Sequence, residues 1–224
     1  MHPSLPPLLR LLQLCSPALP VGAYAYSQGL EWAVQAGWVR DEATAREWIT
    51  GVMRDSLARL DVPILIRLYG AWERGDGQAA REWNHYLAVS RGCPEFRDED
   101  FHLGRSLARL LPDLDVPDAA AWKGENPTFA VLFSLAARHW GIGVEDACAG
   151  YLWTWAENQV AAAIKLVPLG QTAGQRILSE VATIIPDLVE EGMVVEDDGI
   201  GAITPGLTLA GMMHETQHTR LFRS

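Results

Sequence analysis

The sequence predicts an all-α fold, a single compact helical bundle of about ten helices. Apolar residues recur at steps of three and four along most of the 224 residues, which is the spacing of one face of a helix. The only stretch with β character is a weak one at Met193–Val195, and no linker rich in Pro, Gly or Ser separates two domains. The composition, 49% hydrophobic and 21% charged, is that of a globular protein.

The helices of the first half are bounded by prolines, glycines and acidic residues. A short leucine-rich helix ends at the Ser16-Pro17 step, because proline disfavours α geometry in the residue before it. Asp41 and Glu42 open a long amphipathic segment, since acidic residues favour the first turn of a helix. The predicted helical segments are 8–14, 27–37 with Ser27 as the N-cap, 41–60, 61–74, 78–90 and 103–111.

The second half is predicted to begin with the longest loop, 112–127, where prolines, aspartates and a glycine interrupt the pattern, with a short helical turn at 119–122. The segment 144–164 is apolar almost all round and rich in alanine. It is therefore the predicted core helix, approached closely by its neighbours. Helices are also expected at 128–140 and 169–189, followed by an acidic connection and a tail from Pro205.

The charge balance argues against several function classes. Eighteen Lys and Arg against 28 Asp and Glu give a formal net charge of −10, so bulk charge favours neither nucleic acid nor an anionic membrane surface. Only Lys123 and Lys165 are lysines, and the arginines that supply the other cations suit planar contacts at interfaces. No apolar run long enough for a membrane span and no cationic leader are seen. Three cysteines without CxxC spacing predict a reducing compartment, the cytoplasm.

Motifs for catalysis and metal binding are sparse. The sequence has no P-loop, no HExxH zinc motif and no GxSxG nucleophile elbow, so no enzyme class is predicted. His214 and His218 have the i, i+4 spacing of two metal ligands on one helix face. The favoured alternative is a polar tail face with solvated histidines, because no third ligand is evident. The nine tryptophans are expected mainly in the core, with a few exposed at interfaces.

Two segments fit neither a core nor an ordinary surface pattern. Residues 16–31, the first segment, join two prolines, small residues and paired tyrosines into a stiffened apolar loop before a helix. Residues 163–178, the second segment, place Lys165 near the end of the most apolar helix, before a proline break and a polar Gly/Gln turn. Lys165 is either a snorkelling charge at a helix C-terminus or a functional cation at a joint.

Three runs carry a resemblance to a known family. They are SPALPVGAYAYSQGLE at 16–31, KLVPLGQTAGQRIL at 165–178 and HETQHTRLFRS at 214–224. In this order, in a chain of this length, they resemble the UreF family of urease accessory proteins. Cys15, Ala23 and Ala25 depart from the residues more usual in that family.

The resemblance implies an all-α, non-catalytic chaperone of metallocentre assembly. Members of the family form dimers that bind the accessory protein UreD, called UreH in some species. That pair recruits the nickel-carrying GTPase UreG to apo-urease for GTP-dependent nickel insertion. The resemblance also implies that an N-terminal segment (about 1–10) and a C-terminal tail (about 211–224) become ordered on binding UreD. No tightly bound cofactor is implied, since the complex handles the nickel.

The resemblance assigns partner contacts to the first segment, the second segment and the end of the tail, and it assigns no catalytic residue. We expect the first two to face the GTPase and the tail to dock on UreD. Two alternatives remain: a GTPase-activating protein in the strict sense, and direct nickel binding by His214 and His218. The assigned residues are Ser16, Pro17, Pro20, Gly22, Tyr24, Tyr26, Ser27, Gln28 and Glu31; Lys165, Pro168, Gly170, Gln171, Gly174 and Gln175; and Arg220, Leu221, Phe222 and Arg223.

Overall fold

The computed structural model describes residues 6–224, and within that range every regular element is helical. The all-α prediction is confirmed. Residues 1–5, part of the predicted N-terminal segment, lie outside the described residues. The ten α-helices of residues 6–224 are α1 (Pro7–Leu14), α2 (Leu30–Gln35), α3 (Glu42–Val52), α4 (Asp61–Arg74), α5 (Gly77–Val89), α6 (Pro94–Leu110), α7 (Phe129–His139), α8 (Val144–Leu166), α9 (Gln171–Met193) and α10 (Pro205–Glu215).

Helix α2 begins later than the predicted start at Ser27. Gln28 and Gly29 have positive φ angles of 51° and 78°, and a left-handed residue cannot continue a right-handed helix. Ser27 lies two residues before the true N-cap, Gly29, although its Oγ still accepts a hydrogen bond from Glu31 N–H at 3.3 Å. The polar side chain was located correctly, and the helix boundary was not.

The amphipathic segment predicted at 41–60 is not one continuous α-helix. Asp41 caps α3 by accepting from Thr44 N–H at 2.9 Å, and the Thr44 hydroxyl binds back to the Asp41 main chain in a capping box. A π-helical turn, Met53–Leu57, then precedes α4. The wider turn shifts the register of the apolar stripe, which the spacing of apolar residues alone does not reveal.

Two further elements differ from the prediction. Helix α6 begins at Pro94 rather than near Leu103, because its first turns carry charged residues that interrupt the apolar stripe. The predicted loop 112–127 contains a 3₁₀ turn at Pro117–Trp122, which confirms the short helical turn expected there. The weak β stretch at Met193–Val195 is not a strand, since α9 extends to Met193.

Helix α8 lies at the centre of one continuous apolar core. It packs against α2, α7 and α9, among other helices. Two glycines permit close approach: a Cβ on Gly150 would lie 2.6 Å from Leu11 Cδ1, and a Cβ on Gly174 would lie 2.6 Å from Ile164 Cδ1. The predicted core helix is confirmed. Most tryptophans pack on this core, and Trp38 is an exposed exception.

Candidate functional site

The first segment is a loop whose shape is fixed by one glutamine. Gln28 is one of few non-glycine residues in the left-handed region, with φ of 51°. Its side-chain Nε2 donates to Glu99 Oε1 at 2.7 Å, and its Oε1 accepts from Trp155 Nε1 at 2.5 Å. These two bonds hold the loop against α6 and α8. They explain why a polar side chain occupies a conformation that glycine adopts more easily.

The tail pairs with the first segment along the main chain. Arg223 N–H donates to Ala25 O at 2.8 Å. Ser27 N–H and Ser27 Oγ both donate to the main-chain oxygen of Ser224, each at 2.6 Å. Phe222 is 5% exposed and Leu221 is 65% exposed, the alternation expected of an extended chain. The inner face of the tail is part of the fold, and the outer face is accessible.

Glu31 anchors the tail from the start of α2. Its Oε1 accepts from Leu221 N–H at 2.7 Å and its Oε2 from Phe222 N–H at 2.8 Å. The carboxylate is buried, and hydrogen bonds to a buried charge are stronger than neutral ones. One side chain of the first segment therefore satisfies two amides of the tail.

His214 is held between two carboxylates. Its Nε2 lies 3.2 Å from Glu31 Oε2 and its Nδ1 lies 3.1 Å from Glu95 Oε2. Burial lowers the pKa of His214, but hydrogen bonds and charges of Glu95 and Glu31 outweigh it, so the pKa is raised. Arg220 also reaches Glu95, at 3.2 Å. We call Ser27, Glu31, Glu95 and His214 the tail clamp.

This geometry differs from the expectation for the two tail histidines. Helix α10 ends at Glu215, so His218 does not share a helix face with His214. The expectation that both are solvated is wrong for His214, which is fully buried, while His218 is exposed. No set of three or more His, Cys, Asp or Glu side chains in residues 6–224 is arranged to hold a metal ion.

The second segment meets the tail and the first segment at different points. Lys165 Nζ lies 5.4 Å from the centre of the Phe222 ring, in a cation–π contact. Gln171 and Gln175 are exposed on the first turns of α9. Gly174 lies inward, where a side chain would have to displace Ile164, since a Cβ would lie 2.6 Å from Ile164 Cδ1.

A cavity of about 340 Å³ unites the first and second segments. Its outer lining includes Tyr24, Gln171 and Gln175, which are all exposed and which we call the cavity rim. Of the assigned residues, Ser16, Pro17 and Gln28 also line it, whereas Pro20, Gly22, Pro168 and Gly170 do not. Tyr26 lies on the other side of the loop, where its ring centre is 5.8 Å from that of His102.

Several buried polar residues of this region were missed by sequence reasoning. Burial raises the pKa of Glu99 to about 7, although hydrogen bonds from Ser224 and Gln28 act in the opposite direction. Arg91 binds Asp61 at 2.7 Å and Asp100 at 2.7 Å beneath the cavity. The signal available was the occurrence of Glu99 and Asp100 on the buried face of α6, which a correct helix start would have revealed.

Comparison with known sequences identifies the family. The sequence model of the UreF family matches residues 39–182. The urease accessory protein UreF of Alkalilimnicola ehrlichii is 49% identical over 216 residues, covering 96% of this chain and 95% of that protein. The chain belongs to the UreF family.

Other UreF proteins match over similar lengths. The UreF of an Azoarcus species is 50% identical, covering 97% of this chain and 96% of that protein, and the UreF of Chromohalobacter salexigens is 46% identical, covering 97% and 94%. Each is named a urease accessory protein. Membership of the UreF family supports a role in urease maturation. No helix of residues 6–224 combines the length and apolar character needed to cross a membrane.

Proposed function

We propose that this chain is a non-catalytic scaffold of urease maturation. Together with UreD, or UreH, it recruits and regulates the GTPase UreG for GTP-dependent nickel insertion into apo-urease. A homodimer in the cytoplasm is part of the proposal. The observation that carries it is the meeting of the three family runs: the tail is bound by the first segment, and the first and second segments line one cavity.

The outer face of the docked tail is the proposed contact for UreD. Leu221 is 65% exposed, and Arg220 and Arg223 are exposed beside it. Arginine is enriched at interface hot spots, and burial of the exposed leucine against a partner would remove apolar surface from water. Phe222 faces the chain's own core, so its role is to seat the tail.

In this proposal the tail exchanges between a seated and an unseated conformation, and UreD binding increases the seated population. UreD binds the outer face of the tail only when the inner face is seated, because seating fixes the positions of Leu221 and Arg223. A partner that prefers the seated tail shifts the equilibrium toward it. The free energy of ordering is then part of the binding free energy, so tail order depends on the partner.

The cavity rim is the proposed contact for the GTPase. Gln171 and Gln175 present amide groups that donate and accept hydrogen bonds. Lys165 adds one exposed cation at the C-terminal end of α8, just before α9 begins. The role of these groups is to position the GTPase, whose own site carries out hydrolysis.

Co-purification tests the proposal. Tagged full-length chain, a chain lacking residues 211–224, and the double variant Leu221→Ser with Arg223→Ser are mixed with UreD and UreG. We expect the full chain to retain both partners and both altered chains to lose UreD at least tenfold. Val194→Ser, which alters another exposed apolar residue outside the three segments, is the matched control. Full retention of UreD by the double variant contradicts the proposal for the tail.

A further inference from the structure

The cavity between the first and second segments has walls of apolar side chains, with polar groups at separate points of its lining. Side chains of Leu19, Leu57, Val160, Ile164 and Leu178 line it. Its volume of about 340 Å³ is within the range of sites that hold small organic groups. An occupant with an aliphatic portion is therefore favoured over a fully polar one.

The charged groups at the inner end of the cavity are already paired. Arg91 is bound by Asp61 and Asp100, and Tyr151 donates its hydroxyl hydrogen to Asp61 at 2.9 Å. Glu99 accepts from Gln28 at 2.7 Å. Arg91 is the only cationic side chain among the described lining residues, so the cavity offers no unpaired positive charge to an anion.

Glu157 differs from these inner groups. It lines the cavity on α8 and is half-buried. Burial raises the pKa of Glu157, and within residues 6–224 no hydrogen bond or opposite charge counteracts that effect. The Glu157 carboxylate has no hydrogen-bond or ion-pair partner within residues 6–224 and is only partly removed from water, so it is free to pair with a ligand. A cationic occupant would supply that partner.

The groups near Glu157 are acceptors and aromatic rings. Asn158 Nδ2 donates to Tyr26 O at 3.0 Å, which leaves its Oδ1 as an acceptor. Gln171 and Gln175 contribute further amides. Trp155 and Tyr24 are also among the lining residues, and aromatic rings attract organic cations. Since no cluster suited to a metal ion occurs in residues 6–224, these groups favour an organic cation over a metal.

We propose that this cavity binds an organic cation on an aliphatic stem, supplied by an arginine or lysine side chain of a partner protein, with Glu157 as its counter-ion. The stem lies along the leucine and valine walls, and the N–H groups bind Glu157 and the amide oxygens of the rim. The choice of a partner side chain rests on the proposed function, because the rim is the proposed partner contact. The cation site itself rests on the cavity alone.

Binding of small probes to the isolated chain tests the cation site. Pentylguanidinium and 1-pentanol have the same stem and differ in charge. Two-dimensional NMR, followed at the indole N–H of Trp155, reports binding to the cavity. We expect pentylguanidinium to bind at least tenfold more tightly than pentanol, and Glu157→Gln to abolish that difference. Glu190→Gln, at an exposed position on α9, is the matched control and keeps it.

A second experiment tests whether a partner protein supplies the cation. Saturating pentylguanidinium added to the complex with UreD and UreG should release a partner from the wild-type chain, and saturating 1-pentanol should not. Equal binding of the two probes, or an unchanged preference in Glu157→Gln, overturns the cation site whatever the partners do. Selective probe binding without release of any partner overturns the assignment to a partner side chain. Loss of the wild-type complex before any probe is added counts against the proposed function instead.

Discussion

The tail clamp and the cavity rim both consist of side chains with polar groups, and they differ in whether those groups are buried and hydrogen-bonded within the chain. Glu31 and His214 in the clamp are buried and bonded to each other and to the tail. Gln171 and Gln175 in the rim are exposed. Buried polar groups that are bonded stabilise the fold, whereas exposed ones contribute little to it and remain available to partners. The comparison favours a structural role for the clamp and leaves the rim accessible for the proposed contact with a partner.

The largest expected effect is the loss of Glu31. Glu31→Ala leaves the amides of Leu221 and Phe222 and one nitrogen of His214 without an acceptor, and removal of one partner of a buried charged network costs about 3–5 kcal/mol. Urea denaturation measures the free energy of unfolding. Glu47→Ala, at an exposed position on α3, should change it by less than about 0.5 kcal/mol. Equal effects of the two variants contradict the clamp.

The next effect is a dependence of stability on pH. The pKa of Glu99 is about 7 in the folded chain against an ordinary value of 4.5, so the folded state binds this proton more tightly. The contribution of Glu99 to the free energy of unfolding is fully present below pH 4.5. It is lost as the pH rises to about 7, and the loss amounts to about 3 kcal/mol. The raised pKa of His214 acts in the same direction, since its contribution is present below 6.5 and lost above its folded pKa.

Glu99→Gln tests this dependence, because an amide keeps the side-chain shape and does not titrate. We expect the variant to lose most of the decrease between pH 4.5 and 7 and to be more stable than wild type at pH 8. Unfolding curves in guanidinium at several pH values measure it. A variant that keeps the wild-type slope would show that Glu99 does not titrate in this range.

A smaller effect is expected at Ser27. Ser27→Ala removes the bond from Ser27 Oγ to the main-chain oxygen of Ser224 and the bond that Ser27 Oγ accepts from Glu31 N–H, and it keeps the bond from Ser27 N–H to Ser224. Since each hydrogen bond contributes about 1 kcal/mol, we expect a loss of about 1–2 kcal/mol. Ser179→Ala removes only a bond within α9, to Gln175 O, and serves as the control in thermal unfolding. A loss as small as that of the control would indicate that the tail is not seated by Ser27.

The smallest effect on stability is expected in the rim. Gln171→Ala and Gln175→Ala should change the free energy of unfolding by less than about 0.5 kcal/mol and reduce capture of UreG at least tenfold. Gln78→Ala, another exposed amide, should change neither quantity. Unchanged capture of UreG and unchanged urease activation by the rim variants would contradict the proposed contact between the second segment and the GTPase.

The fold class and the central helix could be predicted because both depend on local apolar spacing, as the alanine-rich run of α8 illustrates. The start of α2 could not, because Gln28 adopts a left-handed conformation that only its contacts with Glu99 and Trp155 explain. Those partners are far apart in sequence, and spacing carries no information about them. Tertiary contacts decided this boundary over local propensity.

The same reason separates the predictable and unpredictable parts of the candidate site. The family runs located the residues of the rim and tail. They did not reveal that Phe222 faces inward, that His214 lies between Glu31 and Glu95, or that Glu157 lines a cavity. Each of these depends on which helices meet, and charged residues on α6 and α8 are assigned to the surface when only the sequence is considered.

Hydrogen exchange of the tail amides with and without UreD tests the central claim most directly. The amides of Leu221, Phe222 and Arg223 donate to Glu31 and Ala25. We expect measurable protection in the isolated chain and at least tenfold slower exchange with UreD. The Leu221→Ser, Arg223→Ser variant should lose only the slowing. Tail amides that exchange at the free-peptide rate in the isolated chain, or faster once UreD is bound, would contradict a clamp that seats the tail for its partner.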